Sequence, residues 1–350
     1  MMQGVELFLV GIRQRPGGFI GRARGGYLAL LLVLVALVFG CEVAAGERSS
    51  RPSYGEVVEM PTGDRPPAPD GEQLRGGSSG GGQAEAEQAL VLRFLDVGQG
   101  DAVLIQSPTG QNVLYDGGDR TADLVPRLRR LGVTELTLVI ASHNHADHIG
   151  GLPEVIRAFR PRFVMENGLP HTTRAYERFL LAIEAAGSQL LEPERRAITL
   201  GEAELLIVPP PGRASWGQND NSVGMIVRFG EFRASLLGDA EPRQMGWWLA
   251  THRDLLQPVH VHKASHHGSR RGDTRGLLEA LQPKSVVIGL AADNRYGHPH
   301  REALDLYRQI GARVCRTDLH GTVTIEGVQS GEYRVHTEVD SVAAGTDAAC

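Results

Sequence analysis

Lysine is nearly absent from this chain: Lys263 and Lys284 are the only two, and arginine carries the remaining positive charge. Cysteine is scarce as well, with Cys41, Cys315 and Cys350 the whole complement. Three cysteines cannot build a dense disulfide framework, and none of their spacings is that of a zinc finger. A formal net charge of −5 and an aromatic content of 5% argue against a surface that coats nucleic acid or stacks single strands broadly. Any recognition of phosphate has to be local. The unbroken apolar run Tyr27 to Phe39 is too short for a well-matched membrane-spanning helix. Preceded by Arg13, Arg15, Arg22 and Arg24, it fits the hydrophobic region of an export signal.

That run ends in Val38-Phe39-Gly40-Cys41, which resembles a bacterial lipobox, although Phe39 stands where a small residue is usual. The organisation expected is an export signal with lipobox over 1–41, a Gly/Pro-rich disordered tether over 42–88, one folded domain over 89–337 and a disordered tail over 338–350. An uncleaved anchor helix is the alternative for the first segment, and both readings place the rest of the chain outside the cytoplasm as an exported, membrane-anchored protein. The tether contains Arg65-Pro66-Pro67-Ala68-Pro69 and a Gly/Ser run from Gly76; such composition buries too little apolar surface to offset its chain entropy. With Cys41 acylated, Cys315 and Cys350 are left as a pair for which a disulfide is possible in an oxidising compartment, but spacing alone does not decide it.

The densest chemistry lies in His143-Asn144-His145-Ala146-Asp147-His148, directly after the apolar run Leu136 to Ala141. Four of these six residues can bind metal, and the chain has only 13 histidines in 350 residues, so the cluster is not a scatter of polar loop residues. The HxHxDH spacing suits two cations about 3.5 to 4 Å apart and points to a dinuclear metallo-hydrolase.

Short apolar runs predict strands at Leu90–Val97, Ala102–Gln106, Asn112–Tyr115, Leu136–Ala141, Glu204–Val208, Gly224–Phe229, Phe232–Leu237, Val259–Ala264, Ser285–Gly289, Thr322–Glu326 and Tyr333–Thr337. Helical spacing covers Ala122–Leu131, Leu152–Phe159, Thr173–Ala186, Arg243–Thr251, Thr274–Leu281 and Arg301–Ile310. This order predicts two sheets covered by helices.

Several predicted turns end in capable side chains. Gly238-Asp239 offers a carboxylate suited to bridging two cations. His266-His267 offers one ligand and one residue that orients it or meets substrate, with His266 favoured as ligand. His298, in Asn294-Arg295-Tyr296-Gly297-His298-Pro299-His300, is a candidate general acid or anion contact. Asp96, Asp101 and Asp116 also sit at strand ends, and Asp116 is expected to orient a histidine of the metal loop. Lys263 is a candidate leaving-group acid or phosphate contact, within a basic set completed by Arg270, Arg271, Arg295 and Arg301.

Together these stretches, from LDVGQGDA at Leu95 through YDGG, SHNHADHIGG, GDAE and HHGS to NRYGHPH, resemble the metallo-β-lactamase-fold domain of the ComEC/Rec2 competence-protein family. The resemblance implies an αββα four-layer sandwich with a dinuclear site at one edge. By position, His143 and His145 would hold the first metal; Asp147, His148 and one of His266 and His267 the second; Asp239 would bridge them. Zinc is the expected ion and Mn²⁺ its competitor, because Asn219-Asp220-Asn221-Ser222 stands where many relatives supply a further histidine. Asp147, Asp239, His298, Lys263 and His267 are the expected catalytic residues. The activity expected is phosphodiester hydrolysis by metal-activated water on DNA, RNA or a phosphorylated envelope component; the alternatives are carboxyl-ester, lactone or amide hydrolysis, or a catalytically weak module docking a separate membrane channel.

Overall fold

The computed structural model describes residues 57–60, 88–339 and 350. The expectations for the signal, Cys41 and most of the tether lie outside the described residues.

Strand β1 (Val57–Glu59) precedes the meander β2 (Leu90–Phe94), β3 (Val103–Gln106) and β4 (Asn112–Tyr115). Strands β5 (Leu138–Ile140), β6 (Phe163–Met165) and β7 (Gln189–Leu191) follow in parallel, separated by helices α1 (Leu124–Arg130), α2 (Ala146–Ile149), α3 (Leu152–Phe159) and α4 (Arg174–Ala186). A second sheet grows through β8 (Ala197–Leu200), β9 (Ala203–Val208), β10 (Gly224–Phe229) and β11 (Phe232–Leu236), then in parallel through β12 (Val261–Lys263), β13 (Ser285–Ile288) and β14 (Arg313–Arg316). Helices α5 (Pro242–Thr251), α6 (Arg275–Leu281) and α7 (Arg301–Gln309) connect its parallel strands; α8 (Thr317–His320) leads to the hairpin β15 (Val323–Gly327) and β16 (Tyr333–Thr337). The sheet orders are β1-β8-β9-β10-β11-β12-β13-β14 and β16-β15-β2-β3-β4-β5-β6-β7.

Alternation along the strands explains the layering. In β2, Leu90, Leu92 and Phe94 are buried and face the second sheet's Leu205, Met225 and Leu236 in one shared core. The parallel strands are buried on both faces, as sheets covered by crossover helices must be: Leu138 and Ile140 join the inter-sheet core, while Val139 packs under the helices with Ile156, Phe179 and Ile183. Trp248, Leu277 and Leu281 cover part of the other sheet, and Tyr307 with Leu278 another part. The result is the αββα sandwich predicted. Helix α4 shows how local signals fix an element: the Thr173 hydroxyl accepts the Tyr176 N–H, and Gly187 closes the helix in a left-handed conformation.

Three corrections concern short elements. Val57–Glu59, inside the expected tether, pairs in parallel with Ala197–Thr199, and Met60 is buried behind it; a three-residue strand leaves no alternation for composition to reveal. Strands β6 and β7, also of three residues, escaped prediction for the same reason, and β8 and β14 are only one residue longer. At the other end, Glu338 accepts the Thr322 N–H, and Cys350 forms a disulfide with Cys315, so these tail positions are tied to the fold.

Candidate metal centre

The parallel strands run the same way, so their C-terminal ends share an edge, and the chemistry collects there. Asp116 follows β4 in a left-handed backbone (φ 59). Its buried carboxylate accepts the Ser142 N–H at 2.6 Å, the Ser142 hydroxyl at 2.8 Å and His148 Nδ1–H at 2.9 Å. Asp116 therefore aims the second nitrogen of His148 inward, as expected of it. Two glycines let the walls close. A Cβ on Gly100 would lie 2.2 Å from the carbonyl of Asp147, and one on Gly238, at φ +58, would lie 2.7 Å from the Ser142 Cβ; neither position accepts a side chain.

Inside, His148 Nε2 lies 3.2 Å from Asp239 Oδ2, and His267 Nε2 lies 3.4 Å from the same oxygen and 3.5 Å from Asp147 Oδ2. His267 Nδ1–H donates to the Gly289 carbonyl at 2.8 Å, which turns Nε2 into the centre. On the other side, His143 Nε2 and His145 Nδ1 converge to 2.9 Å. Buried His148 Nε2 and His267 Nε2, the two nitrogens turned toward Asp239 Oδ2, have no aligned hydrogen-bond partner. Leaving such atoms unpaired costs about 1–3 kcal/mol each, a penalty that a cation at their focus removes. Ligand atoms of Asp101, His148, Asp239 and His267 all lie within 4.8 Å of one another. Imidazoles and carboxylates without thiolate suit Zn²⁺, Mn²⁺ or Fe²⁺, so the residues fit divalent ions.

The electrostatics agree. Burial opposes charge on His148 and His267, but Asp239 leads the carboxylates that outweigh it, holding His148 well above the usual histidine range and pushing His267 up to about 10. Burial likewise opposes ionisation of Asp239, yet His148 and His267 hold its carboxyl well below the usual range. His143 and His145 are lowered instead, first by burial and then by His148. Without metal, two protons thus occupy His148 and His267, and divalent cations must displace them.

A model of the metallo-beta-lactamase superfamily matches residues 95–291, more than half of the chain. The chain belongs to this superfamily. Among curated proteins it is similar to ComE operon protein 3 of Bacillus subtilis (strain 168), at 26% identity over 66% of this chain and 32% of that protein. It is also similar to competence protein ComA of Neisseria gonorrhoeae, at 26% identity over 73% of this chain and 35% of that one. The chain spans about a third of the length of these relatives. Among solved structures, a diphosphatase of the PhnP family covers 68% of this chain with 98% of its own, at 18% identity and a TM-score of 0.42.

Within this metallo-beta-lactamase fold, several expected roles move. His267, not His266, faces Asp239 closely; His266 Nε2 is 3.9 Å away, and its Nδ1 turns toward Glu241 at 3.4 Å. Lys263 is fully buried beneath the centre, with Nζ 2.5 Å from Asp101 Oδ2 and donating to the Gly238 carbonyl at 3.1 Å. It cannot reach a substrate, and instead balances Asp101 and props the Gly238-Asp239 turn. His298 stacks on His267 with ring centres 6.2 Å apart, and burial, followed by His267 and His266, pushes it down to about 4. Of the basic set, Arg270 and Arg301 pair with Glu302 and Asp305, and Arg271 with Glu241, the buried carboxylate that His266 faces. Arg295 lies over the Tyr296 ring at 5.1 Å and feels the charge of Asp147.

Two supporting networks are nearly invisible in the sequence. Asp273, fully buried, accepts His262 Nε2–H at 3.0 Å, the Tyr307 hydroxyl at 2.7 Å and the Ser265 N–H at 3.2 Å, anchoring the turn that carries His266 and His267 at φ 50 and 53. Asn144, between the first two histidines, is clamped by Glu166, Asn167, Leu169 and Gln218. Only the Asp at the end of HHGSRRGD hinted at the first, and side-chain amides in loops announce nothing.

Proposed function

We propose that this protein is an exported phosphodiester hydrolase that works with two divalent metal ions. On this reading His143 and His145 hold one ion, Asp147, His148 and His267 the other, and Asp239 faces both. The observation that carries the proposal is the convergence of buried His148 Nε2 and His267 Nε2, neither with an aligned hydrogen-bond partner, on Asp239 Oδ2 at 3.2 and 3.4 Å. Bound divalent ions supply Lewis acidity and lower the pKa of water toward about 7. The chain's own residues do the rest. Asp116 and the Gly289 carbonyl fix the two rings, and Lys263 neutralises Asp101 so that Asp239 keeps its charge for the centre. Arg295 offers a cation at the mouth for a phosphate oxygen, and among the basic set it is the one without a carboxylate partner at contact distance.

The Cys315–Cys350 disulfide supports an oxidising compartment, and with it the export reading. Zinc is the first choice of ion and Mn²⁺ the second. Its partners on this reading are an anionic substrate (DNA, RNA or a phosphorylated envelope component), the membrane through the N-terminal segment, and a separate membrane channel; similarity to competence proteins supports the last. The test is purified protein assayed for metal content and for cleavage of bis(p-nitrophenyl) phosphate, single-stranded DNA and a chromogenic lactone. Arg295→Ala should lower phosphodiesterase kcat/KM by about tenfold, roughly 1.4 kcal/mol, and leave lactone hydrolysis unchanged. Cleavage of the lactone alone by metal-loaded wild type would replace the phosphodiester assignment with the carboxyl-ester one.

A further inference from the structure

We infer that His171 is a third imidazole ligand of the ion held by His143 and His145, taking the place of the histidine that 219–222 lacks. The inference rests on the two-metal reading above. In 219–222 every polar side chain has structural work. Asn221 bonds to the backbone of Arg213 and Gly217, Asp220 accepts the Gln244 N–H, Ser222 Oγ accepts the Asp239 N–H, and Asn219 donates to Glu241. No imidazole comes from that segment.

His171 lies on the loop between β6 and α4, far from the HxHxDH motif in sequence, and the fold brings it beside the motif. Asn144 Nδ2 donates to Glu166, Asn167 and the Leu169 carbonyl at 2.8 to 3.0 Å. Gln218 Oε1 accepts the Asn144 N–H at 3.1 Å and Asn167 Nδ2–H at 3.0 Å, while its amide nitrogen reaches the Leu169 and Pro170 carbonyls. This clamp ties the residues just before His171 to the residue between His143 and His145. The His171 and His145 rings are consequently 5.7 Å apart, edge to face. Two imidazoles on one tetrahedral zinc, each nitrogen about 2.0–2.1 Å from the ion, have ring centres roughly 5 to 5.5 Å apart. The observed separation is within a small side-chain adjustment of that value. His171 Nδ1 is 3.1 Å from the Thr173 hydroxyl. With Nδ1–H donated there, Nε2 keeps its lone pair, the arrangement by which hydrogen-bonded partners orient histidine ligands. The ring is half-buried, so it stands between the closed centre and solvent.

The test compares the full-length wild type with His171→Ala and His171→Gln after loading with Co²⁺, following ions per chain and the visible absorption of each during stepwise chelation. Neither substitution removes a core side chain, and glutamine keeps hydrogen-bonding capacity without an imidazole. Wild type should hold two ions. Both variants should keep one with wild-type affinity, while the other dissociates at least tenfold more readily and its absorption bands change. Two ions with wild-type affinity and spectra in both variants overturn the assignment and leave the two-metal reading standing, and equal weakening of both ions overturns it too by marking His171 as a general prop. Fewer than two ions in wild type overturns the two-metal reading itself, and this inference with it.

Discussion

The two sides of the centre are built differently. On one side His148 and His267 are at most 1% exposed, although Asp147 beside them is partly exposed; each ring is pinned through Nδ1, and carboxylates outnumber free cations around them. On the other, His143 is as buried as those rings but His145 and His171 are only half-buried, and His143 and His145 are held neutral, chiefly by burial. Charge and burial concentrate affinity on the closed side, whereas the open side has neutral donors and a path to water. On the two-metal reading, an ion on the closed side would be held tightly and one on the other side would exchange more readily.

The strongest way to break this comparison is to remove the group common to both sides. Asp239→Ala should lower kcat/KM on the order of 10³-fold or more and cost at least one ion per chain. Unchanged metal content by elemental analysis would reduce Asp239 to a turn residue. Within the closed side, His267→Ala should cost an ion, whereas His266→Ala should keep it, weakened by no more than the roughly 10- to 100-fold of an orienting neighbour. Equal loss in the two variants would show that the Gly289 contact does not select the ligand. Graded chelation of wild type should release ions in two steps separated by at least about tenfold in chelator concentration, and a single step would mean that the sides do not differ.

A further effect concerns pH. In metal-free protein the His267 pKa of about 10 exceeds its ordinary 6.5, so its charge contributes stability that is full below about pH 6.5 and is lost as pH rises through about 10. His148 has the same sign. Urea unfolding of chelated protein should give lower stability at pH 9.5 than at pH 6.5, and the metal-loaded protein should not follow that slope. Equal slopes in both forms would argue that these rings do not carry the protons that metal displaces.

Much of this centre was legible because its parts are local. HxHxDH, the Asp116 turn and the Gly238-Asp239 turn each announce themselves within a few residues, and Thr173 and Thr274 cap the helices they precede. The choice between His266 and His267 was not legible, since both occupy left-handed backbone and their rings are aimed by Gly289 and Glu241, residues distant in sequence. Lys263 was misread although its face was available: positions 261 and 263 share one side of β12, and Val261 belongs to the inter-sheet core. A lysine two residues on must end inside, paired. Three-residue strands such as β6 carry no periodicity to read, and only their neighbours make them strands.

The pairing of β2 with β15 joins Leu92 to Ile325 and Phe94 to Val323. The sheet that carries the HxHxDH loop thus receives one of its neighbours from almost the end of the chain. Contacts of such long sequence separation form late and slow folding. Until they form, β2 presents an unpaired edge of Leu, Val and Phe, a template for aggregation. A nascent chain stopped before residue 323 should therefore behave as sticky, protease-sensitive material rather than as a half-domain with half a metal site, and the motif that looks most complete in the sequence becomes usable only once residues 323–327 have been synthesised.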